Sequence, residues 1–394
     1  MENRRVYVDN AGTTPVSKTC LDAMLPYLTE FYGNPSGIYG VGRDAKRGLE
    51  AAREKVAAAL GSMTPEIYFT GSGTEADNWA LRAVCTLRAK RGKHIITTAI
   101  EHHAILHTLK DLEKHGFEVT YLPVDECGRI TPDELRAAIR EDTILITIMA
   151  ANNEIGTILP IKELAAVAKE KEILFHTDAV QVIGHIPFDV NEMGVDLLSL
   201  SAHKFNGPKG VGALYIRRGV ALPAFITGGG QERTRRSGTE NVAGVVGMAA
   251  ALEEATAKLP EHVVRLTKMR DRLIEGLLKI PYSFLTGDPV NRLPGTASFI
   301  FECVEGESMI LSLDAVGICA SSGSACSSGS LDPSHVLMSI GLKHEVAHGS
   351  VRITFGEYNT EEDVDYILEK MPPIIERLRA MSPMWEDKMK ELGK

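Results

Sequence analysis

Apolar positions along the chain fall into two alternating patterns. Short β-rich runs of about strand length stand at Ile67–Thr70, His94–Thr98, Glu118–Leu122, Thr143–Met149, Ile173–Thr177, Asp196–Leu200 and Val211–Ile216. Between several of them lie helix-like stretches, Ala76–Ala89, Ala104–His115, Pro132–Arg140 and Lys162–Lys171. Strands alternating with helices predict an α/β domain whose sheet is largely parallel and covered on both faces. Nearer the N-terminus, Lys46–Leu60 carries Leu49, Ala52, Val56 and Ala59 at helical spacing with charges opposite, an amphipathic helix. Beyond about Ala250 the pattern changes to a long helical stretch with a proline break (Leu252–Ile280). Two strand-like runs (Thr296–Glu302 and Ser350–Phe355) and a helix over Glu361–Met381 follow it. The economical reading is a large α/β domain over residues 14–258. A smaller α+β domain is expected from residues 1–13 and 259–394.

Composition narrows the class. At 394 residues, 44% hydrophobic and 24% charged, the chain is globular in character and long enough for two or three domains. It contains no uninterrupted apolar run of spanning length and no apolar stretch after its charged N-terminus, so a soluble intracellular, cytoplasmic protein is expected. The formal charge of −9 argues against bulk nucleic-acid binding. Six cysteines (Cys20, Cys85, Cys127, Cys303, Cys319, Cys326) form no CxxC pair and no Cys/His cluster, so neither a disulfide framework nor a zinc site is expected. Most read as small buried hydrophobes.

Three segments carry candidate chemistry. Thr70-Gly-Ser-Gly-Thr-Glu-Ala follows a strand and opens a helix, which offers free backbone N–H groups and a positive helix end to an anion. A plain helix-capping turn accounts for it equally well, and it is neither a P-loop nor a full dinucleotide fingerprint. Asp178 ends an apolar strand, where carboxylates point into the ligand crevice of α/β proteins; an N-cap is its alternative. Lys204 stands in Ser199-Leu-Ser-Ala-His-Lys-Phe-Asn-Gly-Pro-Lys-Gly, off any charged helix face, as an imine-forming amine or a surface lysine in a turn.

A lysine, an acid and a phosphate cup are together what pyridoxal 5′-phosphate (PLP) requires. The chain also carries, in order, Asp9-Asn-Ala-Gly-Thr-Thr, Tyr32-Gly-Asn-Pro-Ser, Ile100-Glu-His-His-Ala, Asn152-Asn-Glu-Ile-Gly and His176-Thr-Asp-Ala-Val-Gln. Ser201-Ala-His-Lys-Phe, Arg236-Ser-Gly-Thr-Glu-Asn and Ser321-Ser-Gly-Ser-Ala-Cys follow. This set resembles the NifS/IscS-type cysteine desulfurases of the class V aminotransferase family, from about residue 6 to residue 356. The resemblance implies PLP-dependent fold type I (aspartate aminotransferase-like), with a large domain built on a mostly parallel mixed sheet and a smaller α+β domain.

Residue by residue, the resemblance matches Lys204 to the lysine that binds the cofactor covalently, Asp178 to the partner of the ring nitrogen and Gln181 to the partner of the phenolic oxygen. His102 matches the imidazole that stacks on the ring and handles protons. Gly73, Thr74, Ser201 and His203 match the phosphate cup. Thr239 matches a phosphate contact given by the second subunit of a homodimer. Arg352 matches the arginine that grips the substrate α-carboxylate, a task suited to a guanidinium fork, with Asn34 and Asn153 as helpers.

Cys326 stands in a segment (about residues 320–331) of small residues without apolar periodicity, which predicts a mobile loop. There it matches the cysteine that takes up sulfur as a persulfide. The implied reaction converts L-cysteine to L-alanine and passes sulfur to a protein acceptor for iron–sulfur cluster assembly or tRNA and cofactor thiolation. A selenocysteine lyase, a kynureninase-like hydrolase or an aminotransferase shares the implied fold but needs no persulfide carrier. Three departures stand near the expected substrate mouth. Gly12 replaces the usual alanine of the first motif, Gly37 the usual second serine after Asn-Pro-Ser, and Tyr39 a common histidine.

Overall fold

The computed structural model describes residues 4–322 and 333–393. In chain order its first elements are β1 (Val6–Tyr7), α1 (Lys18–Thr29), α2 (Gly40–Leu60), β2 (Ile67–Thr70), α3 (Gly73–Arg88), β3 (His94–Thr98), α4 (His103–Lys114) and β4 (Glu118–Leu122). Next come α5 (Pro132–Ala138), β5 (Thr143–Thr147), α6 (Ile161–Glu170), β6 (Leu174–Asp178), α7 (Val190–Met193), β7 (Leu197–Ser201), β8 (Gly212–Ile216) and α8 (Val242–Leu277). The remainder are β9 (Ser283–Leu285), β10 (Thr296–Phe301), α9 (Gly306–Asp314), β11 (Ile318–Cys319), α10 (His335–Ser339), α11 (His344–Ala347), β12 (Ser350–Thr354), α12 (Glu361–Ala380) and α13 (Pro383–Glu391).

The central sheet has seven strands in the order β2-β8-β7-β6-β5-β3-β4. Only β8 runs against the others, pairing antiparallel with both β2 and β7. Strand residues here are apolar on both faces because both faces are covered. Ile95, Leu145, Leu174 and Leu197 pack with Trp79 and Leu109 on one side. Their neighbours Ile96, Ile146, Phe175 and Leu198 face the opposite core. A separate core gathers Val6 and Val8 with Leu266, Met269, Phe299, Phe301, Val351, Ile353 and Ile367. It covers the antiparallel sheet β12-β10-β9 and the parallel pair β1-β11. Among the described residues no helix is long and apolar enough to cross a membrane.

Two sequence expectations fail: among the described cysteines only Cys20 and Cys85 are buried, while Cys127, Cys303 and Cys319 are half-buried. The helix predicted to break at a proline runs unbroken from Val242 to Leu277 through Pro260. Proline removes the bond to the carbonyl four residues back. Here that residue is Thr256, on an exposed stretch where water can take the acceptor. Pro260 also follows Leu259 and precedes Leu266, the point at which α8 begins contributing to the separate core.

The outer strand β2 is fastened by a buried ion pair. Arg53 Nη1 and Nη2 each donate to the Glu232 carboxylate at 2.8 Å, and both side chains are 3% exposed. Glu232 also accepts the amide of Phe69 at 2.9 Å, which covers an edge donor of the sheet. Four residues on, Arg236 pairs with Glu75 in the first turn of α3 at 2.7 Å. Arg53→Ala leaves the Glu232 carboxylate buried without its cation and costs about 3–5 kcal/mol in urea unfolding. The paired change Arg53→Met with Glu232→Leu, which removes both charges, costs less than that single change.

Candidate active site

Ligands of open α/β sheets gather at the carboxyl ends of the strands, and four such ends converge here. β2 leads through Ser72 into α3, β3 leads through His102 into α4, β6 ends on Asp178, and β7 ends at the tight turn Ala202–Lys204. They enclose a cavity of about 280 Å³ whose wall includes Gly73, Thr74, His102, Asn153, Asp178, Gln181, Ser201, His203, Lys204 and Arg352. Ten of the residues expected from sequence thus share one cavity. Asn34 and Thr239 do not line it, and both are exposed. Cys326 lies outside the described residues. Of the three departures, Gly12 lines the cavity, whereas Gly37 and Tyr39 do not.

Lys204 Nζ donates to the carbonyls of Ala11 at 2.6 Å and Gly12 at 2.8 Å. Gln181 Nε2 donates to the same Ala11 carbonyl at 3.0 Å. Asp178 is buried, with Oδ1 accepting the Val180 amide at 2.9 Å. Burial pushes its carboxyl up to about 6, against the pull of Lys204. Behind it on α3, the fully buried Asp77 is driven well above the carboxylate range by burial and by Asp178. Asp77 stands one residue past the Thr70–Ala76 segment, and its spacing alone does not separate it from a helix-surface aspartate.

His102 caps α4, with Nδ1 accepting the Ala104 amide at 3.1 Å. That bond leaves Nε2 as the nitrogen bearing the ring proton. Burial, then Lys204, lowers its pKa to about 4, so the ring is neutral in ordinary buffers. His203 is lowered to about 4 for the same two reasons, and its Nδ1 lies 3.1 Å from Thr13 Oγ1. Arg352 reaches in from β12 and is held by Asn153 and Asp9. Asp9 was part of a recognised motif but carried no assigned role, because only the fold brings it to a strand more than three hundred residues away.

The cavity suits PLP on its own geometry. The first helical amide bonds of α3 begin at Glu75 and Ala76, which return to Ser72. The amides of Gly73 and Thr74 thus remain for an anion. Gly73 keeps that wall close: a Cβ there would lie 2.7 Å from Val180. A lysine amine, a buried carboxyl, an imidazole and this anion cup together match the cofactor's aldehyde, ring nitrogen, ring face and phosphate.

Residues 6–367 match the family described as aminotransferase class-V. Cysteine desulfurase IscS of Methanosarcina thermophila is 58% identical over 383 residues, 97% of this chain and 95% of its own. The chain belongs to the cysteine desulfurases of this family. A second desulfurase named IscS, from Clostridium botulinum, is 54% identical over 391 residues, 98% of each chain. Among solved structures, a NifS-like protein superposes with a TM-score of 0.90 at 44% identity, covering 95% of this chain and all of its own. A structure described as SspA in complex with cysteine superposes at 0.80 with 36% identity, covering 90% of this desulfurase and all of its own chain.

The depressed pKa of His102 has a stability consequence. Between about pH 6.5 and 4 the unfolded chain takes a proton there that the folded chain refuses, so this residue's contribution falls as pH falls. His102→Asn keeps a helix cap but does not titrate. In the cofactor-free protein, the stability of the variant relative to the parent rises by about 2 kcal/mol between pH 7 and pH 5, read from urea midpoints.

Proposed function

We propose that this chain is a PLP-dependent cysteine desulfurase that converts L-cysteine to L-alanine and carries the sulfur away as a persulfide on Cys326. The observation that carries the reading is the shared cavity of Lys204, Asp178, His102 and Arg352 at the strand ends. When bound, PLP supplies an electron sink for bond breaking at the substrate's Cα. Gly73, Thr74, Ser201 and His203, with Thr239 of a second copy, would hold its phosphate. Asp178 would hold the ring nitrogen and Gln181 the phenolic oxygen.

Lys204 Nζ takes and returns the proton at the substrate's Cα. The carbonyls of Ala11 and Gly12 orient that nitrogen. Arg352 grips the α-carboxylate, with Asn153 alongside and Asn34 as a helper. His102 handles protons on the sulfur side of the substrate, and Nε2 is the atom through which it acts because Nδ1 is engaged. Cys326 attacks the substrate sulfur as thiolate. A sulfur–sulfur bond forms, the carbon–sulfur bond breaks, and its electron pair stays with the substrate carbon, which takes a proton to become alanine. Residues on either side of the Cys326 segment are anchored beside this site: Ser321 bridges the backbone of Arg352, and Ser334 donates to Glu154.

On this reading the protein works in the cytoplasm as a homodimer. Its sulfur passes to a protein acceptor that serves iron–sulfur assembly or thiolation. An exposed apolar strip on α1 and the following loop (Leu21, Leu25, Leu28, Tyr32, Ile38) supports a second copy, since monomers seldom leave such a strip bare. Sedimentation at working concentration should give a dimer; a fully active PLP-loaded monomer overturns it.

Lys204→Ala should abolish alanine production while cofactor is still retained noncovalently. Cys326→Ser should bind PLP and L-cysteine, as read from the cofactor's absorbance, yet form no persulfide by mass spectrometry. Alanine release from the serine variant at the parental rate refutes the persulfide route.

A further inference from the structure

Arg352 is a buried cation with an unfinished set of partners. Its side chain is 4% exposed. Nη1 donates to the carbonyl of Asn153 at 2.8 Å, and Nη2 donates to Asp9 Oδ1 at 2.8 Å. Nε is buried and has no partner among the described residues. Nε and Nη2 form the side-on fork of a guanidinium, the arrangement that takes a carboxylate through two parallel bonds. One tine is therefore occupied by a carboxylate of the chain itself, and the other lacks a partner.

Asp9 is suited to come and go. Its side chain is 28% exposed, so water can solvate the carboxylate once it leaves the guanidinium. Its backbone is held independently of that carboxylate. The Asp9 carbonyl accepts the amides of Gly12 at 2.9 Å and Thr13 at 3.3 Å, and the Tyr7 hydroxyl at 3.1 Å.

Position 12 borders this contact. A Cβ on Gly12 would lie 2.5 Å from Asp9 Oδ2, 2.9 Å from Cγ and 3.0 Å from Oδ1. An alanine here would make the Asp9 carboxylate shift, and Gly12 leaves it room beside Arg352.

We propose that Asp9 is an internal stand-in for the substrate carboxylate: it neutralises Arg352 in the empty site and gives up Nη2 when a substrate occupies the Nε–Nη2 fork. The proposal rests on the reading of Arg352 as the carboxylate-binding residue. Asp9 keeps a buried guanidinium from standing without a carboxylate partner. The same contact competes with every incoming carboxylate, so it raises the affinity a ligand must bring through its other groups. Asp9 and Gly12 thereby act as specificity-determining residues.

Calorimetry of L-alanine binding to the PLP-loaded protein tests this. Asp9→Asn keeps the shape and removes the competing charge, so L-alanine should bind about tenfold tighter, about 1.4 kcal/mol, and KM for L-cysteine should fall. Gly12→Ala displaces the Asp9 carboxylate and should move affinity in the same direction. Without ligand, Asp9→Asn should melt below the parent, and saturating L-alanine should narrow the gap. Unchanged or weaker L-alanine binding by Asp9→Asn overturns the proposal and makes Asp9 a fixed orienting partner. Arg352→Ala is the separate control: if it leaves L-alanine affinity intact, the reading of Arg352 fails, whatever Asp9 does.

Discussion

The amine of Lys204, set against the carbonyls of Ala11 and Gly12, is the contact on which the arrangement of the site depends. It joins the end of β7 to a segment that precedes it by nearly two hundred residues. The same short segment is tied on its other side to β12. Asn10 Nδ2 donates to the Thr354 carbonyl at 2.7 Å, and the Ala11 amide donates to Thr354 Oγ1 at 2.9 Å. Thr14 returns to the sheet through the His203 carbonyl. Residues 9–14 thus strap the antiparallel sheet to the central one, and the Lys204 amine sits at the buckle. Fixing a chain segment in this way costs conformational entropy at every residue, offset here by hydrogen bonds at both ends.

Charge is placed in the interior with few counterions. Glu101 is pushed up to about 8 and Glu154 to about 7, both first by burial, while His176 is lowered to about 3. Burial thus favours the neutral form of each group. His176 spans Thr147 Oγ1 at 2.9 Å and Ser199 Oγ at 3.0 Å, linking three adjacent strands beneath the cavity. Lys204 and Arg352 remain as the cations among the residues lining the cavity. A cavity so lined favours an anionic ligand that also carries an electrophilic centre for an amine.

Much of this is legible in the sequence. Strands such as His94–Thr98 and Glu118–Leu122 agree to the residue, because an apolar run bounded by turn residues has few other places to go. Lys204, Asp178 and the Gly73–Thr74 turn were readable because each ends or follows a strand. What escaped was set by contacts distant in sequence. The α8 helix ignores Pro260 because its lost bond falls on an exposed turn, a fact of tertiary placement and not of propensity. Neither Asp9 nor Asp77 could be assigned a role by local pattern, since each acquires its partner only through folding. Asn34 and Thr239, matched by motif, stand outside the cavity of their own chain.

The backbone of Arg352 pairs with Ser321 in both directions, its amide donating at 2.6 Å and its carbonyl accepting at 3.2 Å. The residue whose side chain faces the cavity is therefore also the clamp for the start of the cysteine-bearing stretch. On the proposed roles, the grip on the substrate and the anchor of the cysteine-bearing stretch hang from one peptide unit. On those roles, a lineage selected for a bulkier amino acid would shift β12 and Ser321 together, and one adaptation would carry the other with it.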